Sequence, residues 1–367
     1  MRSSFHRLLS TLGMAAALAP SSQANWFQQT SPSDNIVQAS IVEEDAASND
    51  KVIAPTATAS SSSASCSAVS CCDNRFRGCD NCCDGGCDSC GCGSGLLGYG
   101  IIKPSDRCFD DFISPVSNPV FFEDPRTLTE VRFLFLHHEV PAAVGGHSVQ
   151  VYAAQVRLAL SKRLSLIATK DGFVYSQHPL IEPGFADVAA GFKYNVYRDP
   201  TAGRILSVGT TFEIPMGSEK SLQGNGDGEW NFFATAGTRI MGSTRAHWLS
   251  AGGLRQPNDE DAENRLMYWS NHFNYRLDTR KPVYLLTEFN WWNYLSDGTA
   301  FPLPVEGGDL FNFGSPGVVG NDLVTQAIGM RMKPKSNVEM GSAFEFPLTE
   351  REGLLKNRWN FDLIVRY

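Results

Sequence analysis

From Thr129 to Tyr367 apolar and polar residues alternate with a period of two, and this alternation constrains the fold more than any motif does. Successive side chains of a β-strand point to opposite faces, so the pattern specifies strands with one apolar and one polar side. Nowhere does an apolar run reach the roughly 18 residues that a membrane helix needs. A chain of this kind either packs its apolar faces against each other or turns them outward into lipid as a closed cylinder. The last strand favours the cylinder. Trp359, Phe361, Leu363, Val365 and Tyr367 hold one face, while Asn360, Asp362, Ile364 and Arg366 lie between them and are mostly polar.

About twelve strands are expected, near 129–140, 147–161, 164–176, 185–198, 203–215, 229–241, 245–256, 263–278, 282–296, 321–333, 336–346 and 358–367. Connections after the even strands are short, at 161–163, 199–202, 242–244, 279–281 and 334–335, while those after the odd strands include the long loops 216–228 and 297–320. Short turns at one rim and long loops at the other are the layout of outer-membrane barrels, whose spanning strands need about 9 to 11 residues each. The expected fold is therefore all-β, an antiparallel up-and-down transmembrane β-barrel of about 12 strands. An even strand count puts both ends of the barrel on the periplasmic side. The terminal run resembles the C-terminal recognition signal of bacterial outer-membrane proteins, which makes Trp359, Phe361, Leu363, Val365 and Tyr367 a candidate barrel-assembly signal.

Other strands repeat the dyad. Val188, Ala190, Phe192, Tyr194 and Val196 alternate with Asp187, Lys193 and Asn195; Leu206, Val208, Phe212 and Ile214 with Ser207, Thr211 and Glu213. Val338, Met340, Phe344 and Phe346 oppose Glu339 and Glu345. Strand ten departs, because Gln326 falls on the face of Val324, Ile328 and Met330, and a bulge is expected there. Trp230, Trp248, Trp291, Trp292, Tyr268 and Tyr275 lie towards strand ends, as an interfacial girdle would place them. The water-facing positions then include Arg132, Arg157, Lys193, Glu213, Arg239, Arg276, Glu288, Arg331 and Glu345, candidates to line a lumen. Buried charges must pair or meet water, so these residues either coat a narrow channel or brace it by ion pairs across the lumen. Mixed signs argue against strong ion selectivity.

The N-terminal part has a different composition. Residues 1–24 carry Arg2 and Arg7, an apolar stretch and a Ser22-Gln23-Ala24 site, the layout of a secretory signal peptide. Residues 25–65 are polar and read as a disordered tether. Within 66–108, Cys66, Cys71, Cys72, Cys79, Cys82, Cys83, Cys87, Cys90, Cys92 and Cys108 are candidates for disulfides or for a metal. Cys79-x-x-Cys82 and Cys87-x-x-Cys90 have zinc-ribbon spacing, yet in an exported chain the same spacing more often means disulfides. A Pro-containing linker, 109–128, leads to the barrel at 129–367. Formal net charge is −8 without a basic patch, so no nucleic-acid partner is expected.

The run 187–194 (Asp-Val-Ala-Ala-Gly-Phe-Lys-Tyr), with Glu213-Ile-Pro-Met-Gly-Ser218 and the Gly224-Asn-Gly-Asp-Gly228 loop, resembles the outer-membrane transporter β-barrel family often labelled with the meta-cleavage pathway of phenol degradation. The resemblance covers about half the chain and implies uptake of small, often hydrophobic molecules. It carries no catalytic residues. Enzymatic readings are weak on other grounds: His147 and Ser148 are strand neighbours pointing to opposite faces and cannot serve each other as base and nucleophile, and the same holds for His137 and His138 as metal ligands. The expectation is an outer-membrane channel for passive passage of small solutes. It needs no cofactor; its partners are outer-membrane lipid, the barrel-assembly machinery and the solute, and its oligomeric state is open. The alternative is a structural or adhesive envelope protein whose barrel anchors the Cys-rich segment.

Overall fold

The computed structural model describes residues 100–278, 282–351 and 353–367. Their backbone forms one closed antiparallel barrel of twelve strands. These are β1 (Glu130–Glu139), β2 (Ser148–Ala159), β3 (Leu164–Lys170, resuming as Phe173–Ser176), β4 (Gly184–Phe185, resuming as Val188–Asp199), β5 (Arg204–Ile214) and β6 (Glu229–Arg239). Then follow β7 (Ala246–Pro257), β8 (Leu266–Arg276), β9 (Val283–Tyr294), β10 (Asp322–Lys335), β11 (Val338–Pro347) and β12 (Asn357–Arg366). Each strand pairs with its sequence neighbours, and β1 pairs with β12 as well as β2, setting Val131 opposite both Val365 and Val156. Closure leaves no unpaired edge, which is what allows strands to stand in hydrocarbon. The signal segment, the polar tether, the cysteines from Cys66 to Cys92 and the 279–281 turn lie outside the described residues.

The two faces separate as the alternation requires. Along β12, Trp359, Phe361, Leu363 and Val365 are exposed outward, while Arg358, Asn360, Asp362, Ile364 and Arg366 are buried inward. β5 and β11 follow the same rule. Trp230, Trp248 and Tyr275 are outward and exposed, but Tyr268 and Trp292 point inward and are buried, so they belong to the interior and not to a girdle. Adjacent strand residues face opposite ways, so Trp291 and Trp292 could not both meet lipid. No bulge accompanies Gln326: pairing is regular through Gln326 and Phe346, and the register shifts instead between Met332 and Lys335. Gln326 faces outward and offsets its polarity by donating Nε2 to Thr287 Oγ1 at 3.2 Å.

Strands β3 and β4 are interrupted at residues 171–172 and 186–187. Gly172 has φ +117, and a Cβ there would run into the Tyr152 carbonyl. Asp171 restores the lost ladder contact by accepting from the Ala154 backbone N–H at 2.9 Å. Among the described residues the short turns fall at one rim with both barrel ends, and the long loops at the other.

The interior is occupied. Residues 103–129, which include the expected linker 109–128, enter and leave at the short-turn rim. There Lys103 bridges to Ala159, and Thr129 Oγ1 donates to the Lys103 carbonyl at 2.6 Å. Between these points the chain makes an excursion into the lumen, its legs joined by the Asp106 N–H to the Thr127 carbonyl at 2.9 Å. Phe109, Phe112, Ile113, Val116, Ser117, Asn118 and Phe122 are all 0% exposed. Asn118, with φ +47, turns the segment, and the N–H of Phe122 closes the turn on its carbonyl. Asn is the residue type that most readily accepts that conformation after Gly.

Candidate functional site

The strands carry many charges on their inward positions, and the inner segment supplies partners for several of them. Glu123 accepts from Arg157 at 2.6 Å and from Lys193 at 2.7 Å, and its own backbone carbonyl accepts from Thr235 Oγ1 at 2.7 Å. Asp111 pairs with Arg239 at 2.6 Å and with His247 at 3.0 Å; Asp106 pairs with Arg198 at 2.8 Å. Backbone groups join in. Arg132 donates to the Pro115 carbonyl at 2.8 Å, Lys333 to the Asp110 carbonyl at 2.5 Å, and Glu288 accepts from the N–H groups of Val116 and Ser117. Asn118 Nδ2 donates to Ser270 Oγ at 2.9 Å, and Pro119 accepts from Gln155 at 2.8 Å. Strands on every side of the barrel thus hold one segment.

Every residue expected to line the lumen faces the interior. Besides the contacts above, Arg132 and Arg331 both reach Asp362 at 2.7 Å, Glu213 receives Lys170 at 2.5 Å, and Glu345 receives Arg358 at 2.7 Å. Arg239 and Arg276 sit half-buried near the short-turn rim, Arg276 donating to the Asp278 carbonyl at 3.0 Å. Glu288, Arg331 and Glu345 are 0% exposed. A continuous aqueous path would leave accessible surface on the residues that ring it; Glu288, Arg331 and Glu345 on the wall and Ser117 and Asn118 on the inner segment keep none. Pairing is the physical requirement here, because removing one partner of a buried pair strands the other charge at a cost of about 3–5 kcal/mol.

Sequence reasoning missed the inner segment and with it Glu123, Asp111 and Asp106. Two signals pointed to them: the run 109–122 holds Phe109, Phe112, Ile113, Val116, Phe121 and Phe122, too apolar for a solvated linker, and the strands carry more inward cations than inward anions to match them. His272, Glu288 and Ser117 also meet. Yet Ser117 Oγ donates to Glu288 at 2.5 Å and His272 Nδ1 lies 2.6 Å from the other Glu288 oxygen, so the carboxylate separates hydroxyl from imidazole and the trio is a brace.

A second closure covers the long-loop rim. Asn312 donates to Glu229 at 2.6 Å and to the Asn264 carbonyl at 2.9 Å, and accepts the Asn264 N–H at 3.0 Å. Asp187 collects the N–H groups of Gly217 and Gly224 at 2.8 and 2.9 Å. Beneath lies a charge cluster short of cations: Asp187, Glu213, Glu229 and Glu263 face only Lys170 and Arg255. Glu263, in the loop between β7 and β8, is 3% exposed, and its Oε2 has no hydrogen-bond partner among the described residues. Burial, then the charges of Glu229 and Glu213, push its carboxyl up to about 9. Between inner segment and lid, Leu134, Leu136, Val151, Val174, Leu310 and Phe311 border a cavity of about 30 Å³, which holds about one or two waters and no solute.

No family model and no curated protein matches the chain. Solved structures do. An outer membrane channel from Pseudomonas putida F1 superposes with TM-score 0.46 at 13% identity, covering 70% of this chain and 100% of its own. The NanC porin does so with TM-score 0.43 at 7% identity, over 65% and 99%. The KdgM porin in complex with disordered oligogalacturonate gives TM-score 0.38 at 8% identity, over 65% and 99%.

Proposed function

We propose that this chain is an outer-membrane channel that passes small solutes passively once the inner segment yields. One observation carries the reading: an apolar wall with no open edge surrounds charged side chains, and several of these, Arg157, Lys193, Arg239 and Arg198 among them, find their partners on a single piece of chain tied down at one rim. A barrel built only to anchor has no need of a charged interior; an apolar filling would be as stable or more so. With the inner segment displaced, Arg132, Arg157, Lys193, Arg331 and Glu288 become the lining that a solute meets. In this reading the short-turn rim is periplasmic, the long loops face outside, the residues from Trp359 to Tyr367 serve barrel assembly, and the resemblance of the 187–228 run favours small hydrophobic solutes.

In planar lipid bilayers the full-length protein is expected to stay mostly closed and to show discrete conductance steps. A second reading, the envelope anchor with a working Cys-rich segment, draws support from the filled lumen and predicts no steps at all. Removal of residues 25–99 should leave conductance unchanged in the first reading, while loss of metal or cell-wall retention on that removal favours the second.

A further inference from the structure

The outward face is not uniformly apolar. On β12 and on β1 to β6, mid-strand positions facing out are held by residues such as Phe361, Leu363, Phe133, Phe192, Val208 and Phe232, and Thr210 is the polar exception. On β7 to β11 the same face carries Ser250, Asn271, Thr287, Gln326 and Ser342. Asn271 stands at the centre of β8, with Ser250 opposite it on β7, and Phe289 of β9 separates it from Gln326 of β10.

These amides have bonding capacity left over. Asn271 Oδ1 accepts from Trp248 Nε1 at 3.0 Å, but its NH₂ finds no partner among the described residues. Gln326 gives its NH₂ to Thr287, and its carbonyl oxygen finds none. Acyl chains offer neither donor nor acceptor at this depth, and an unmet polar group in hydrocarbon is costly. We propose that the β7–β11 face is where a second copy of this chain docks within the membrane. A surface that presents a free donor on β8 and a free acceptor on β10, with Phe289 of β9 between them, can pair donor to acceptor in both directions with a copy of itself, as a two-fold contact demands. Ser342 keeps the wall low on β11, while the exposed Trp269 indole lies over Gly252 and donates to Ser250 Oγ at 2.8 Å, setting an aromatic ring beside the amides. This proposal rests on the membrane reading given above.

The test counts subunits of the fluorescently labelled full-length chain by single-molecule photobleaching in phosphatidylcholine vesicles, with a heat-modifiable gel shift as the check on folding. Wild type is expected to bleach mostly in two steps. The double variant Asn271→Leu, Gln326→Leu is expected to drop to one step while keeping the gel shift, since leucine suits lipid at least as well as an amide; Val208→Leu on the opposite face should keep two. One-step bleaching by a folded, inserted wild type overturns the docking proposal and leaves the channel reading standing. So does two-step bleaching by the folded double variant. Failure of the wild type to insert at all overturns both.

Discussion

The barrel is shut at both rims, and the two closures are made of different chemistry. At the short-turn rim the inner segment is locked by charge: Glu123 to Arg157 and Lys193, Asp111 to Arg239 and His247, Asp106 to Arg198. At the long-loop rim the lid has two ion pairs, Asp309 to Arg358 at 2.8 Å and Glu306 to Arg351 at 2.9 Å, but its centre is held by amides and backbone groups around Asn264 and Asn312, above a cluster with more acids than bases. A charge-matched lock is strong and all-or-none, because losing one partner leaves the other buried alone. An amide-held lid gives way piecemeal, and its surplus carboxylate ties it to pH. The same barrel therefore has one closure sensitive to the loss of a residue and one sensitive to protons.

The largest effect should come from breaking the lock. Glu123→Ala leaves Arg157 and Lys193 without their shared carboxylate, with an expected loss of about 3–5 kcal/mol in urea unfolding and a rise in open probability. Next is the pH dependence of the lid. Glu263 stays protonated in the folded chain up to about pH 9, whereas an unfolded Glu ionises near 4.3. Between those values the folded state holds the extra proton, so its stability falls as pH rises, by at most about 1.4 kcal/mol per pH unit for one group. Glu263→Gln should flatten that slope and raise stability at neutral pH; an unchanged slope would assign the dependence elsewhere. Smallest is Asn312→Ala, which removes three lid hydrogen bonds and should lower stability by about 1–3 kcal/mol. It should also speed amide hydrogen exchange around Asn264 while leaving that of Val116 and Ser117 unchanged, since those N–H groups belong to the other closure.

What could be read from the sequence follows the same division. The wall was legible because an apolar outer face and a polar inner face impose a period of two, so the strands, the parity of their loops and the inward set from Arg132 to Glu345 all emerged from position alone. The inner segment obeys no period. Its side chains match a cavity made by residues from across the whole chain, and nothing local in Asp110-Asp111-Phe112-Ile113 reveals that Arg239 and His247 wait for it. Gln326 misled for a related reason: a polar residue on the outward face suggested a bulge, whereas its amide NH₂ finds a neighbouring hydroxyl on β9 within a regular ladder. Trp292 and Tyr268 were placed by their nearness to strand ends, when parity against Trp291 and Trp269 already required them to point inward.

The chain between Lys103 and Thr129 closes the lumen. Because Thr129 Oγ1 lies 2.6 Å from the Lys103 carbonyl, residues 104–127 can be removed and the ends joined by a short glycine link. Single-channel recording of that variant, shown to be folded by its heat-modifiable gel shift, tests the claim most directly. Steady open current, against a mostly closed full-length protein, is the predicted result; a folded variant that conducts no more than the full-length protein would contradict it.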